Sequence, residues 1–267
     1  DPCPPRRFGR EGAQEESSGR RIMSDGIWSA ASGAISQVMA LDVAAENVAN
    51  ASTPAYHGDR VVFREVLTRA TAKKQGGFNL KYGAVGSIAT DPLAGAITVT
   101  GRPLDVALKG PSSYLVVKTA QGERYTRYGS LEVNKNGMVV TRDGDAVLGL
   151  DRKPVRLTPG SKVSIASDAT VTMDGAPSGQ LLTVQFKNPA GLAKEGSFLL
   201  RGQPAAGPPA VAPPELETGA LEGSNVSPVK GMVDIVNASR AFEVCERVID
   251  AFRDADRRAA LDVMGLK

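Results

Sequence analysis

Apolar positions near the start of the chain recur at alternating steps of four and three: Ile27, Ala31, Ala34, Val38, Leu41, Ala45 and Val48. This is the seven-residue spacing of a helix stripe that packs against another helix. Toward the other end Ile235, Ala238, Phe242, Cys245, Ile249, Phe252, Asp256, Ala259 and Val263 repeat it, with Asp256 as the polar interruption. Two such stripes at opposite ends can bury each other only if the chain ends meet. Between them the pattern changes to short strand-like runs at 96–100, 104–108, 114–118, 125–133, 138–141, 162–165 and 181–186. Gln121-Gly122, Asn136-Gly137, Asp143-Gly144 and Asp174-Gly175 supply the positive φ that tight hairpins need. The pattern predicts an α+β chain, with coiled-coil-like paired N- and C-terminal helices and an all-β middle.

Local chemistry sets the boundaries. Residues 1–22 are rich in Pro, Arg and Glu with scarcely an apolar run, and read as an unstructured extension. Ser24 or Asp25 can cap the first helix, over 23–54, because a side-chain oxygen accepts an orphan N–H of its first turn. Thr53-Pro54 stops it. Residues 55–95 form a connecting region, with Val61-Val62-Phe63 ordered and 73–77 a loop. The β-rich domain is predicted over 96–201. Residues 202–218 are a Pro/Ala-rich linker too poor in large apolar side chains to pack as an element. The C-terminal segment 219–267 carries the second helix, opened by Ser227-Pro228, where a missing N–H is harmless, and ended by Gly265.

The 267 residues are 42% hydrophobic, enough for a real core, and Lys/Arg nearly balance Asp/Glu at a net charge of +3. No basic block accompanies an aromatic platform, so nucleic acid is not expected as a partner. No run approaches a membrane span, and the segment after Arg20-Arg21 lacks the continuous apolar core of a secretory signal, so neither membrane insertion nor a cleaved leader is expected. Cys3 and Cys245 imply neither a disulfide framework nor a metal site. His57 is the only histidine; with no conspicuous Ser or Cys partner it reads as a solvated loop residue, and neither catalysis nor a cofactor is expected. Asp143 and Asp145 flank a turn glycine, which is ordinary turn chemistry. Cys245 reads as a small buried hydrophobe and Phe242 as core.

Three separated motifs then carry a resemblance. Ser32-Gly33, Gln37, Leu41-Asp42-Val43, Asn47-Val48-Ala49-Asn50 and Ser52-Thr53-Pro54-Ala55-Tyr56 resemble the N-terminal signature of the bacterial flagellar rod and hook family of axial proteins. Gly101-Arg102-Pro103-Leu104-Asp105-Val106-Ala107 and Tyr125-Thr126-Arg127-Tyr128-Gly129 are similar to its middle. Leu221-Glu222-Gly223-Ser224-Asn225-Val226, Met232-Val233 and Arg240-Ala241-Phe242-Glu243 look like its C-terminal motif. The resemblance spans 24 to about 265. Length and the β insertion point to the long rod proteins. Gly223 favours the F type of the proximal rod over the G type of the distal rod. Departures occur at 44–47, 55–58, Ser113-Tyr114 and Ser239-Arg240.

The resemblance implies a structural subunit with other rod proteins and copies of itself as partners. It also implies export by the flagellar type III apparatus into the periplasm-spanning rod. The seam residues would then form the axial packing and assembly surface. Asn47 and Asn50 read either as interlocking contacts with neighbours or as solvation of a helix end, and Asn225 either as such a contact or as a local cap. A reading of a different class is a β-rich binding or adhesin-like module oligomerised by its terminal helices. Such a module should cluster exposed aromatics, whereas aromatics make up 5% of the chain, and Tyr125 and Tyr128 have opposite parity on one predicted strand, so that one points inward.

Overall fold

The computed structural model describes residues 12–68, 80–110, 112–158 and 160–263. Two long helices, α1 (Gly12–Ala49) and α2 (Pro228–Val263), bracket a region of strands, so the chain is α+β. It divides into two compact units. Among the described residues, unit 1 comprises 12–43, 61–68, 80–88 and 233–263, and unit 2 comprises 44–60, 89–110, 112–158 and 160–232.

In unit 1, α1 and α2 run antiparallel in contact. A β-carbon built on Gly26 would lie 2.5 Å from the Phe252 ring, and one built on Gly33 would lie 3.4 Å from the Cys245 sulfur. Seven residues forward in α1 thus match seven back in α2. In unit 2 the same helices meet where Gly231 packs on the Val48 side chain. The strands Asp59–Thr68 and Leu80–Thr90 pair as a two-stranded sheet.

The start of α1 differs from expectation. The helix begins at Gly12 rather than near Ser24, because Ala, Gln, Glu and Arg of this segment are strong helix formers even without an apolar stripe. It ends at Ala49, and Asn50 to Thr53 follow as hydrogen-bonded turns ahead of Pro54. As expected, α2 opens at Pro228, with the Lys230 N–H donating to Ser227 Oγ and the Gly231 N–H to the Ser227 carbonyl. The expected helix stop at Gly265, the loop at 73–77, Cys3 and residues 1–11 lie outside the described residues.

Unit 2 is built on a nine-stranded sheet. Its main path runs Ala193–Glu195, Leu199–Arg201, Gly122–Thr126, Ser113–Thr119, Ala146–Val147, Val139–Thr141, Leu131–Val133. Thr183–Gln185 pairs with both Ser113–Thr119 and Ala210–Val211. A three-stranded sheet joins Val163–Ile165, Thr170–Met173 and Ala176–Gln180. Two smaller ladders pair Val106–Leu108 with Leu216–Thr218, and Ile97–Val99 with Ala220–Glu222.

Alternation along the central strand Ser113–Thr119 sends its residues to two different cores. Leu115 and Val117 join Val106, Leu131, Val139, Val147, Leu181 and Leu216 in one. Tyr114 and Val116 join Tyr125, Leu182, Val184 and Phe186 in the other.

Two sequence expectations fail here for physical reasons. The run 125–133 is not one strand, because pairing stops after Thr126. The Thr126 hydroxyl donates to the Phe198 carbonyl and accepts the Tyr128 N–H, while Gly129 packs so tightly on the Val106 carbonyl that no side chain fits. Tyr125 and Tyr128 are therefore both buried, not one in and one out. The segment 202–218 is not a free linker either. Ala206, Ala212 and Leu216 are buried, and two of its stretches pair into sheets. Small side chains suffice when the backbone supplies the ladder.

Candidate functional site

Burial along α2 follows the expected stripe from Ile235 to Phe252 and then stops, since Asp256 and Ala259 are exposed. Ile235, Phe242, Cys245, Ile249 and Phe252 are half-buried, Ala238 is buried, and the stripe extends back to buried Gly231. Cys245 and Phe242 are thus only partly covered, unlike the core positions expected of them.

On α1 the covered stripe is centred one residue earlier than the bulky positions suggest. Gly26, Ala30, Gly33, Gln37, Ala40, Ala44 and Asn47 form an unbroken heptad of buried or half-buried positions. Ile27, Ala31, Leu41 and Val48 flank it half-buried and Ala34 is buried, but Val38 and Ala45 are exposed. The reason is size. Where the Phe252 ring lies against a backbone, the facing position must be glycine, and a reading weighted toward Ile, Val and Leu overlooks glycine.

This close seam leaves large apolar side chains on the outside of the helices. In unit 1 Trp28 is 70% exposed, Ile35 61% and Val38 42%, with Met39, Val233, Val236, Val244 and Val248 also exposed. Val62, Phe63 and Ile88 add exposed apolar groups from the two-stranded sheet. Exposed large apolar side chains in this number are uncommon on a chain that works alone and are characteristic of an interaction surface.

Unit 2 holds a polar cluster where its chain segments converge. Glu222 is 2% exposed. Its Oε2 accepts from Arg127 Nε at 2.7 Å, and its Oε1 lies 3.1 Å from His57 Nε2 and accepts the Gly95 N–H at 3.1 Å. The Arg127 guanidinium also donates to the carbonyls of Gly110, Ser113 and Leu108. Burial alone would push the Glu222 carboxyl up, but the His57 hydrogen bond, the Arg127 charge and the Gly95 N–H outweigh it and hold the group below its ordinary range. His57 is therefore no solvated loop residue. Its side chain is 13% exposed and its Nδ1 lies 3.0 Å from the Asp91 carbonyl.

The asparagines complete the cluster. Asn47 Oδ1 accepts from the Asp59 N–H and the Tyr56 hydroxyl, while its Nδ2 donates to the Asp59 carbonyl. Asn225 Oδ1 accepts the Gly58 N–H, and its Nδ2 donates to the carbonyls of Asp91 and Leu93. Asn225 is thus an internal tie rather than a helix cap. Asn50 bonds only locally, to the Glu46 carbonyl and the Thr53 hydroxyl. Lys194 bolts the turn from outside. Its ammonium sits 3.8 Å from the Tyr56 ring centre, 3.0 Å from the His57 carbonyl and 2.9 Å from Asp59 Oδ2. Burial, then the charges of Asp59 and Glu46, push the Tyr56 hydroxyl strongly up, so it stays a donor.

Sequence reasoning quoted Glu222 and Arg127 within motifs without assigning them a role. A carboxylate and a guanidinium inside strand-forming runs were the available signal, since buried charges require partners. Beside the cluster a small cavity of about 40 Å³ is lined by His57, Tyr114, Arg127, Leu192, Phe198 and Leu199 among others. Among the described residues no group of three or more His, Cys, Asp or Glu could hold a metal ion, and no helix is long and apolar enough to cross a membrane.

Comparison with known proteins places these features. Residues 217–261 match the family described as flagellar basal body rod FlgEFG protein C-terminal, and residues 107–180 match the flagellar hook protein FlgE/F/G D1 domain. The flagellar basal-body rod protein FlgF of Salmonella typhimurium is 35% identical over 247 residues, covering 86% of this chain and 94% of that protein. FlgG of Agrobacterium fabrum is 31% identical over 266 residues, covering 89% and 98%. FlgG of Bacillus subtilis is 32% identical over 235 residues, covering 78% and 88%.

Proposed function

The chain belongs to the flagellar basal-body rod and hook protein family and is a structural subunit of the rod, and from that premise we propose that it polymerises through its two terminal helices. The exposed apolar face of the α1–α2 pair is the observation that carries this reading. Ala- and Gly-lined on the inside, the pair forms a narrow coiled-coil-like seam. Its outer Trp28, Ile35, Val38, Val236 and Val244 gain cover only from neighbouring subunits. Contacts repeated by rotation plus translation build an open helix, which suits a hollow axial shaft crossing the periplasm. Partners are copies of the chain and other rod proteins. Export through the flagellar type III apparatus fits a chain whose helices finish packing only on assembly.

Within the family the F type is favoured over the G type. Gly223 in the segment before α2 supports this reading; identity does not separate the types, with FlgF of Salmonella typhimurium at 35% and of Caulobacter vibrioides at 28% on either side of the two FlgG proteins at 31% and 32%. A binding or adhesin-like role gains no support, since Tyr114, Tyr125 and Tyr128 are buried rather than displayed. The reading leaves no catalytic role for this chain and involves no cofactor.

Val38→Asp and Ile35→Asp test the proposal. Both side chains are already in water, so the purified variants should fold like the parent by circular dichroism yet fail to enter basal bodies and abolish motility. Normal rods containing either variant would overturn the helix-face reading. A seam substitution, Ile249→Asp, should instead loosen the helix pair itself, because it places a charge at a half-buried position.

A further inference from the structure

His57 sits between two acceptors. The Asp91 carbonyl, 3.0 Å from Nδ1, can only accept, so the Nδ1 proton belongs to that bond. On the other side Nε2 faces Glu222 Oε1 at 3.1 Å, and the carboxylate also accepts from Arg127 and Gly95. A neutral imidazole has one N–H. Whichever nitrogen carries it, the other presents a lone pair to an oxygen lone pair at hydrogen-bond distance. The contacts are satisfied together only when both ring nitrogens are protonated.

We propose that the His57–Glu222 contact is a proton-operated latch on unit 2. It closes when the ring is an imidazolium, and it opens when Nε2 gives up its proton to solvent. The ring ties three separate stretches: its own turn after α1, the 91–95 loop through the Asp91 carbonyl, and the strand before α2 through Glu222. Opening it repels the carboxylate from the ring and takes the acceptor from the Gly95 N–H.

The other groups around the ring do not supply a substitute proton. Arg127 is engaged on Glu222 Oε2 and three carbonyls. Lys194 holds the His57 carbonyl and Asp59, not the ring. The Asp91 carboxylate accepts the Leu93 N–H. Tyr56 donates to Asn47, and the Tyr114 ring lies 5.9 Å from the Arg127 guanidinium.

The test needs no assignment of the ring, because the chain has one histidine. The imidazole nitrogen resonances of the full-length chain would be followed from about pH 5 to about pH 9, together with amide exchange protection at Gly95. Leu182, whose N–H bonds the Leu148 carbonyl in the core, serves as reference. Gly95 protection, corrected for intrinsic exchange, should fall roughly tenfold with the same midpoint as the ring, while Leu182 stays constant. In His57→Gln the Gly95 profile should be flat; if that variant does not fold, the parent profile decides alone. Gly95 protection unchanged as the ring titrates, or full protection with the ring neutral throughout, overturns the latch. Because the dilute chain is used, either result leaves the assembly reading standing.

Discussion

Val116 and Val117 are sealed in the sheet of unit 2, whereas Val236, Val244 and Val248 stand exposed on α2 in unit 1. The chain supplies the same residue type to both places, and the architecture decides its fate. A strand with layers on both sides buries every residue, one face into each core. A helix paired with one other helix buries a single stripe, and apolar side chains elsewhere on its circumference stay in water until something covers them. Unit 2 therefore buries its apolar side chains within itself, while unit 1 leaves many of its own exposed.

Glu222→Ala should show the largest effect and only in unit 2. It strands the Arg127 guanidinium in the interior and should cost about 3–5 kcal/mol in chemical denaturation. A loss spread equally over the helix signal would break the distinction between the units.

The same carboxylate sets an acid limit. Because its folded value lies below the ordinary 4.5, its contribution is fully present above 4.5 and lost as the pH falls through the depressed value. Denaturation midpoints measured downward from neutral pH should decline in this window for the parent. They should decline less for a Glu222→Gln variant.

Core truncation sharpens the contrast. Leu115→Ala, at a fully buried site, should cost about 2–5 kcal/mol. Ile35→Ala, on the exposed face of α1, should change the stability of the dilute chain by less than about 0.5 kcal/mol yet reduce incorporation into basal bodies. Equal stability losses would mean that Ile35 is covered within the monomer.

The smallest effects probe the seam. Gly33→Ala has ordinary contact distance to Cys245 and should raise helix stability by about 0.5–1 kcal/mol through backbone entropy. Gly26→Ala meets the Phe252 ring and should lower it, as read by far-ultraviolet circular dichroism. Equal gains at both positions would show that the Phe252 ring does not rest on Gly26.

The α+β division, the opening of α2 at Pro228 and the stripe from Ile235 to Phe252 were legible in the sequence, because periodicity and caps are local properties of the chain. The register of the α1 stripe was not, because its positions are glycine, alanine, Gln37 and Asn47, whose hydrophobic signal is faint or absent until Phe252 and Cys245 of α2 are placed opposite. Burial of Tyr125 and Tyr128 together, the packing of 202–218, and the Glu222–Arg127–His57 cluster with Asn47 and Asn225 were likewise decided by the tertiary structure. Each depends on which distant segments arrive at the same point. A polar side chain's meaning lies in the partner it meets, and His57 and Glu222 are brought together only by the fold.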